Sequence, residues 1–145
     1  FFKADQGDKH HTYAKRYAVL SADLQTVTAI HKRFGINVNH PQSRTHLVKG
    51  YFNTTAVWLS SQVRAIAILR LDGDMFQSTW EVLAALYGKV SVGGFVIVDD
   101  YGLRGAKMAT DEFRECAGIQ TPLVPILPNG SRHPGGRWGK VFWIP

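Results

Sequence analysis

Two acidic pairs carry the residues best suited to chemistry: Asp72 and Asp74 in Asp72-Gly73-Asp74, and Asp99-Asp100 ahead of Tyr101. Each directly follows a short apolar run, residues 65–71 (AIAILRL) and 95–98 (FVIV). Runs of this length read as buried strands, covered on both faces. If the two are neighbours in a sheet, their ends lie about 5 Å apart, and the four carboxylates crowd into one small volume. Like charges that close repel and raise each other's pKa. A hard divalent cation such as Mg²⁺, held by a few carboxylates and waters, relieves that repulsion. Taken singly, an Asp after a strand also serves as a turn or N-cap residue, and Asp74 fits that use before Ser78.

The elements that must position these acids are legible around them. Residues 1–17 are polar and Lys/His-rich and read as a loop or lid. A helix follows, N-capped by Ser21 or Asp23, with Leu20, Leu24, Val27, Ile30 and Phe34 at helical spacing and Gly35 as its stop. Residues 37–43 form a turn region, and 45–51 (THLVKGY) a short strand closed by Gly50. After Asp74, Ser78 and Glu81 form a capping box for a second helix, whose apolar stripe is Leu83, Leu86, Tyr87 and Val90. Gly93-Gly94 leads into the second buried strand. A helix over 105–117 places Ala106, Ala109, Phe113 and Cys116 on one side. Residues 123–127, broken by Pro125, read as a strand near an edge. Residues 129–136 are a Gly/Pro-rich loop, and 140–144 a last strand. This alternation is the pattern of an α/β fold with a mainly parallel sheet, whose ligands bind at the carboxyl ends of the strands.

Composition sets the bounds. The 145 residues, 45% hydrophobic and 19% charged, suffice for one domain with a real core. No apolar run approaches the roughly 18–20 residues needed to span a bilayer, and the expected location is cytoplasmic. A single cysteine, Cys116, excludes a disulfide within the chain and a Cys-rich zinc site. The formal charge is +6, with basic residues concentrated in the two ends and acids in the middle. That balance speaks first to a solvated basic surface. With no zinc-finger spacing and no RNP-type motif, nucleic acid is not the expected partner. The chain opens on Phe1-Phe2-Lys3, without Met and without a signal-peptide pattern, and reads as a piece of something longer.

The run from Leu69 through Asp72-Gly73-Asp74-Met75-Phe76-Gln77-Ser78-Thr79 to Trp80, and the run from Lys89 through Gly93-Gly94-Phe95 to Asp99-Asp100-Tyr101, resemble the macrocin O-methyltransferase (TylF-like) family. Weaker likeness extends upstream to Val19-Leu20 and Lys49-Gly50-Tyr51-Phe52-Asn53-Thr54, and downstream to Asp111-Glu112-Phe113-Arg114 and Val141-Phe142-Trp143. The resemblance implies a Rossmann-like, class I S-adenosylmethionine-dependent methyltransferase that acts on sugar hydroxyls of natural products and depends on Mg²⁺. It implies Asp72, Asp99 and Asp100 as metal ligands. Gly50, Tyr51, Phe52 and Gly73 fall where the cofactor would bind. Asp72 or His11 stands as candidate base. The tandem His10-His11 also reads as an ordinary solvent-exposed pair, and His31, His40, His46 and His133 carry no motif.

The family's glycine-rich loop after its first strand, and the acid after its second, have no counterpart in these residues. The expectation is therefore a single partial methyltransferase domain over 1–145, with 1–17 as lid and 18–145 supplying strands three to seven of the sheet. Three outcomes are open: a fragment of an active enzyme on a sugar or glycoside acceptor, a homo-oligomer that completes the sheet, or a module that binds without methyl transfer. Asp72-Gly73-Asp74 also matches the D-x-D of metal-dependent glycosyltransferases, a weaker reading because it leaves Asp99-Asp100-Tyr101 without a role.

Overall fold

The structure, a computed structural model, describes residues 22–126 and 139–145. The chain divides into two compact units, Phe1–Gly50 and Tyr51–Pro145. In the first, helix α1 spans Leu24–Arg33. Asp23 is its N-cap, its carboxylate accepting the Thr26 amide at 2.7 Å. Gly35 follows with φ +76°, the left-handed conformation that a glycine stop supplies. Of the expected apolar stripe, Leu24, Val27 and Ile30 lie on α1 and Phe34 at its C-cap, none of them buried, while Leu20 lies outside the described residues. Residues 45–49 form no strand and have no ladder partner among the described residues. This corrects the expected third strand: an extended segment without a neighbour has nothing to pair its backbone groups with.

The second unit carries helix α2 (Phe52–Gln62), strand β1 (Ile66–Leu71), helix α3 (Phe76–Leu86) with a 3₁₀ turn at Tyr87–Lys89, strand β2 (Val90–Val98), helix α4 (Arg104–Cys116), and strands β3 (Val124–Ile126) and β4 (Lys140–Trp143). The sheet order is β1-β2-β4-β3. β1 and β2 run parallel, with Leu71 opposite Val98, while β4 is antiparallel to both β2 and β3. β3, with Pro125 at its centre, lies at the edge as expected. The 129–136 loop lies outside the described residues.

One face of this sheet makes the core. Leu69, Leu71, Val96, Val98, Val141 and Trp143 pack with Val82, Leu83 and Leu86 of α3, Ala106 of α4, Ala56 of α2 and Tyr101. Expected full coverage of β1 is corrected by its alternation. Leu69 and Leu71 are buried, whereas Ile68 on the other face is 61% exposed and Phe95 beside it 39%. On α4 the buried positions are Gly105, Ala106, Ala109 and Thr110; Cys116 is exposed, not on the packed side.

The capping box is also corrected. α3 begins at Phe76, two residues before Ser78, with Met75 as its N-cap. Ser78 Oγ donates instead to the Gly73 carbonyl at 2.6 Å, and Glu81 accepts from the Gln77 side chain.

The starts of α3 and α4 meet at Gly105. A Cβ there would lie 2.7 Å from the Phe76 backbone nitrogen, which cannot move aside without unwinding α3. Gly105→Ala is expected to cost about 2 kcal/mol, within the usual range for overpacking and despite the roughly 1 kcal/mol that alanine gains in a helix. A lowered urea midpoint at unchanged slope is the check.

Candidate functional site

Asp72 follows β1 and Asp99-Asp100 follow β2. Because those strands are parallel neighbours, the acids leave the sheet side by side, and the Asp99 amide still donates to the Leu71 carbonyl at 2.9 Å. One oxygen from each of Asp72, Asp99 and Asp100 lies within 4.8 Å of the others. Asp74 is not in that set. Its backbone takes φ +58°, in the left-handed region that Asp tolerates, and its N–H donates to Asp100 Oδ2 at 3.3 Å. The D-x-D acids thus play different parts, one converging with the second pair and one bracing it.

The sheet register brings in two basic residues that the motif reading passed over. Arg70 precedes Asp72 by two, so it shares a face with it. Extending the β2–β4 register by one residue sets Lys140 opposite Asp99. The Arg70 guanidinium spans both strand ends, 2.8 Å from Asp72 Oδ2 and 2.9 Å from Asp99 Oδ2. Lys140 Nζ lies 2.7 Å from Asp99 Oδ1. Two-residue alternation was the signal that could have found them: Arg70 is the single charge inside the AIAILRL run, and Lys140 opens the last strand.

These partners split the electrostatics of the acids. Burial pushes the Asp99 carboxyl up, but hydrogen bonds from Lys140 and Arg70 outweigh it and hold the group below its ordinary value. Asp100 has no cationic partner among the described residues. Burial first, then the neighbouring Asp74 carboxyl, push it up to about 6. The expected mutual repulsion is thus concentrated on Asp100, while the chain itself supplies positive charge to Asp72 and Asp99.

A carboxyl raised on folding gives stability that is complete below its unfolded pKa of about 3.9 and is lost as pH rises through about 6. The full change corresponds to about 3 kcal/mol, and solvent screening at this partly exposed position reduces it to about 1. Metal-free Asp100→Asn protein is therefore expected to match wild type near pH 4 and to melt higher at pH 7. Melting curves across that interval check the sign.

Gly73 sits in close quarters. A Cβ on it would lie 3.1 Å from Ser78 Cβ and Oγ and 3.5 Å from Phe52 Cε2. Two of the cofactor-side candidates, Phe52 and Gly73, are thus brought together beside Asp72. Tyr51 precedes α2, its carbonyl accepting the Thr55 amide at 2.9 Å and its ring exposed. Gly50 ends the first unit, and His11 lies outside the described residues. On the far side of the second acid pair, the Tyr101 hydroxyl donates to Asp111 Oδ1 at 2.7 Å, and Lys107 pairs with Asp111 one turn earlier on α4. The turn bearing Asp99-Asp100 is thereby moored to α4.

A β1-β2-β4-β3 sheet with acids at the ends of its parallel pair is part of a Rossmann-like methyltransferase fold. A solved structure of the O-methyltransferase NovP superposes with a TM-score of 0.78 at 30% identity, over 98% of this chain and 52% of that one. The chain belongs to the macrocin O-methyltransferase (TylF) family, whose model matches residues 1–131. It is 35% identical over 125 residues to demethyldecarbamoylnovobiocin O-methyltransferase of Streptomyces niveus, covering 86% of this chain and 45% of that protein. Mycinamicin III 3''-O-methyltransferase of Micromonospora griseorubida is 32% identical over 111 residues, covering 77% and 41%. The chain thus spans less than half the length of these curated relatives. No helix among the described residues is long and apolar enough to cross a membrane.

Proposed function

We propose that this chain carries the metal- and acceptor-binding part of a Mg²⁺- and S-adenosylmethionine-dependent O-methyltransferase acting on a hydroxyl of a sugar or glycosylated natural product. The observation that carries the reading is the convergence of Asp72, Asp99 and Asp100 within 4.8 Å at the ends of two parallel strands. The donor set fits the metal: all ligands are carboxylate oxygens, the hard donors that Mg²⁺ takes, and Asp100 holds charge that no described cation offsets. Relatives named as O-methyltransferases of demethyldecarbamoylnovobiocin, of mycinamicin III and of a rhamnosyl-tetracenomycin support the acceptor class.

Asp72, Asp99 and Asp100 would hold a divalent cation, which would supply Lewis acidity to make the acceptor hydroxyl easier to deprotonate. The rest falls to the chain. Asp99, held by Arg70 and Lys140, fixes the inner side of the site. Asp72, exposed at the rim, orients the acceptor hydroxyl and takes its proton; His11 is the alternative base. Gly73, by carrying no side chain, lets Ser78 and the Phe52 ring close in beside Asp72, and Phe52 forms the wall proposed for the cofactor side, with Gly50 and Tyr51 next in sequence. The glycosyltransferase reading is the less supported one, because the chain belongs to an O-methyltransferase family and Asp74 stands outside the converging set.

The test supplies the protein with S-adenosylmethionine, Mg²⁺ and a panel of glycosides, and follows methylated product and S-adenosylhomocysteine. Product that disappears with EDTA and returns with Mg²⁺ supports the reading. Product unaffected by EDTA overturns the metal's part. Absence of both product and calorimetric heat from S-adenosylhomocysteine overturns catalysis by this chain in favour of a binding module.

A further inference from the structure

The three acids do not stand open for a cation. Both oxygens of Asp99 and one of Asp72 are already engaged by Arg70 and Lys140. Three carboxylates against two cations leave a net charge of −1. A dication entering this cluster meets the attraction of the acids together with the repulsion of two fixed positive groups.

We propose that Arg70 is a resident counter-cation that holds Asp72 and Asp99 together while the site is metal-free, and that metal entry displaces it. This rests on the metal reading given above. Two observations favour displacement of Arg70 over that of Lys140. Arg70 alone bridges two acids from different strands, so its guanidinium occupies the space between them, where a shared cation must lie. Lys140 holds Asp99 from β4, the opposite flank. Both cations are about equally exposed, Arg70 at 52% and Lys140 at 49%, so exposure does not choose between them; it lets Arg70 turn into water with its charge solvated, as exposed ion pairs are weak. Both Arg70 contacts are made by one guanidinium nitrogen, Nη2, which carries two N–H donors.

Arg70 is therefore a positioning residue for the metal ligands, and it sets metal affinity in a direction opposite to that of an ordinary supporting residue. Arg70→Met removes one positive charge from the cluster, taking it from −1 to −2. The variant is expected to bind Mg²⁺ about tenfold more tightly than wild type, equal to 1.4 kcal/mol, and to melt lower when metal-free, because Asp72 and Asp99 lose the charge that joins them. Saturating Mg²⁺ is expected to restore most of that loss. Arg70→Lys keeps the charge but shortens the side chain whose Nη2 bridges the two acids, so its affinity stays within about twofold of wild type while its metal-free melting temperature falls. Lys140→Met, as a comparison, leaves the bridge intact and tightens binding less than Arg70→Met does.

Calorimetric titration of Mg²⁺ into the four proteins, with metal-free and metal-saturated melting curves, decides the matter. Tighter binding with lower metal-free stability in Arg70→Met supports the proposal. Equal or weaker binding in that variant, with wild type binding normally, overturns it and leaves the metal reading intact. No Mg²⁺ binding by wild type or any variant removes the metal reading, and the displacement with it. Should Arg70→Met not fold, tighter binding by Arg70→Lys than by Lys140→Met overturns the charge argument, and the reverse order supports it.

Discussion

Asp99→Asn is expected to lower Mg²⁺ affinity by at least about 30-fold. A unit negative charge about 4 Å from a dication is worth about 2 kcal/mol even in a water-like dielectric, and that corresponds to roughly 30-fold. Asp99 has the most shielded of the acidic side chains in ion pairs here, 15% exposed, so screening is weaker than in water and the figure is a floor. The substitution also leaves Arg70 and Lys140 facing the cation without the carboxylate that absorbs their charge. Asp72→Asn, exposed and paired with Arg70 alone, is expected to lose less. Titration calorimetry on both variants checks the order. Unchanged affinity in Asp99→Asn would falsify the metal assignment, and no rearrangement of side chains rescues it, because both oxygens of that carboxylate lie in the cluster's network.

The largest effect on stability is expected at Trp143. It is fully buried in β4, pairs with Val96 across the ladder, lies against the Tyr87 ring at 6.3 Å and carries the Arg114 guanidinium over its face at 4.9 Å. Truncation to alanine removes the ring and leaves a cavity under the sheet, a change that costs about 3–5 kcal/mol. Domains hold only about 5–15 kcal/mol in total, so Trp143→Ala is expected to be partly unfolded at 37 °C. Trp143→Phe keeps a ring for the stack and drops an indole N–H that has no acceptor among the described residues. An unsatisfied buried donor costs about 1–3 kcal/mol, which offsets the smaller ring, and the change is expected to be close to neutral. Urea unfolding separates the two, and equal losses would show that ring packing is not what holds β4.

The acids of the site were legible from the sequence because they sit at the ends of short apolar runs, and parallel sheets gather such ends. The helix starts and stops near Asp23, Gly35, Arg104 and Cys116 were legible for local reasons, a side-chain cap or an apolar period. What escaped was set by neighbours. Residues 45–51 have a strand's composition, yet pairing is a property of two segments, and no partner lies beside them among the described residues. Ser78 and Glu81 have the spacing of a capping box, but the hydroxyl has a better acceptor in Gly73, which only the turn after β1 brings within reach. Arg70 lies inside a run read as apolar, and the run alone gives it no role. Its meaning depends on which strand lies alongside, and register is not written in either strand alone. The coverage of β1 failed similarly: a nearly continuous apolar run describes what a strand can bury, not what is present to bury it.

The mooring of Tyr101 to Asp111 has a consequence for how such a chain tolerates change. The phenol ties the turn bearing Asp99-Asp100 to a helix whose residues Lys107 and Asp111 stand outside the set of converging acids. Drift on that helix reaches the carboxylates through this phenol as well as through the chain itself, where the Leu103 amide donates to the Asp100 carbonyl at 2.8 Å. Positions that look like freely variable surface thus bear on how the acids of the candidate site are aimed.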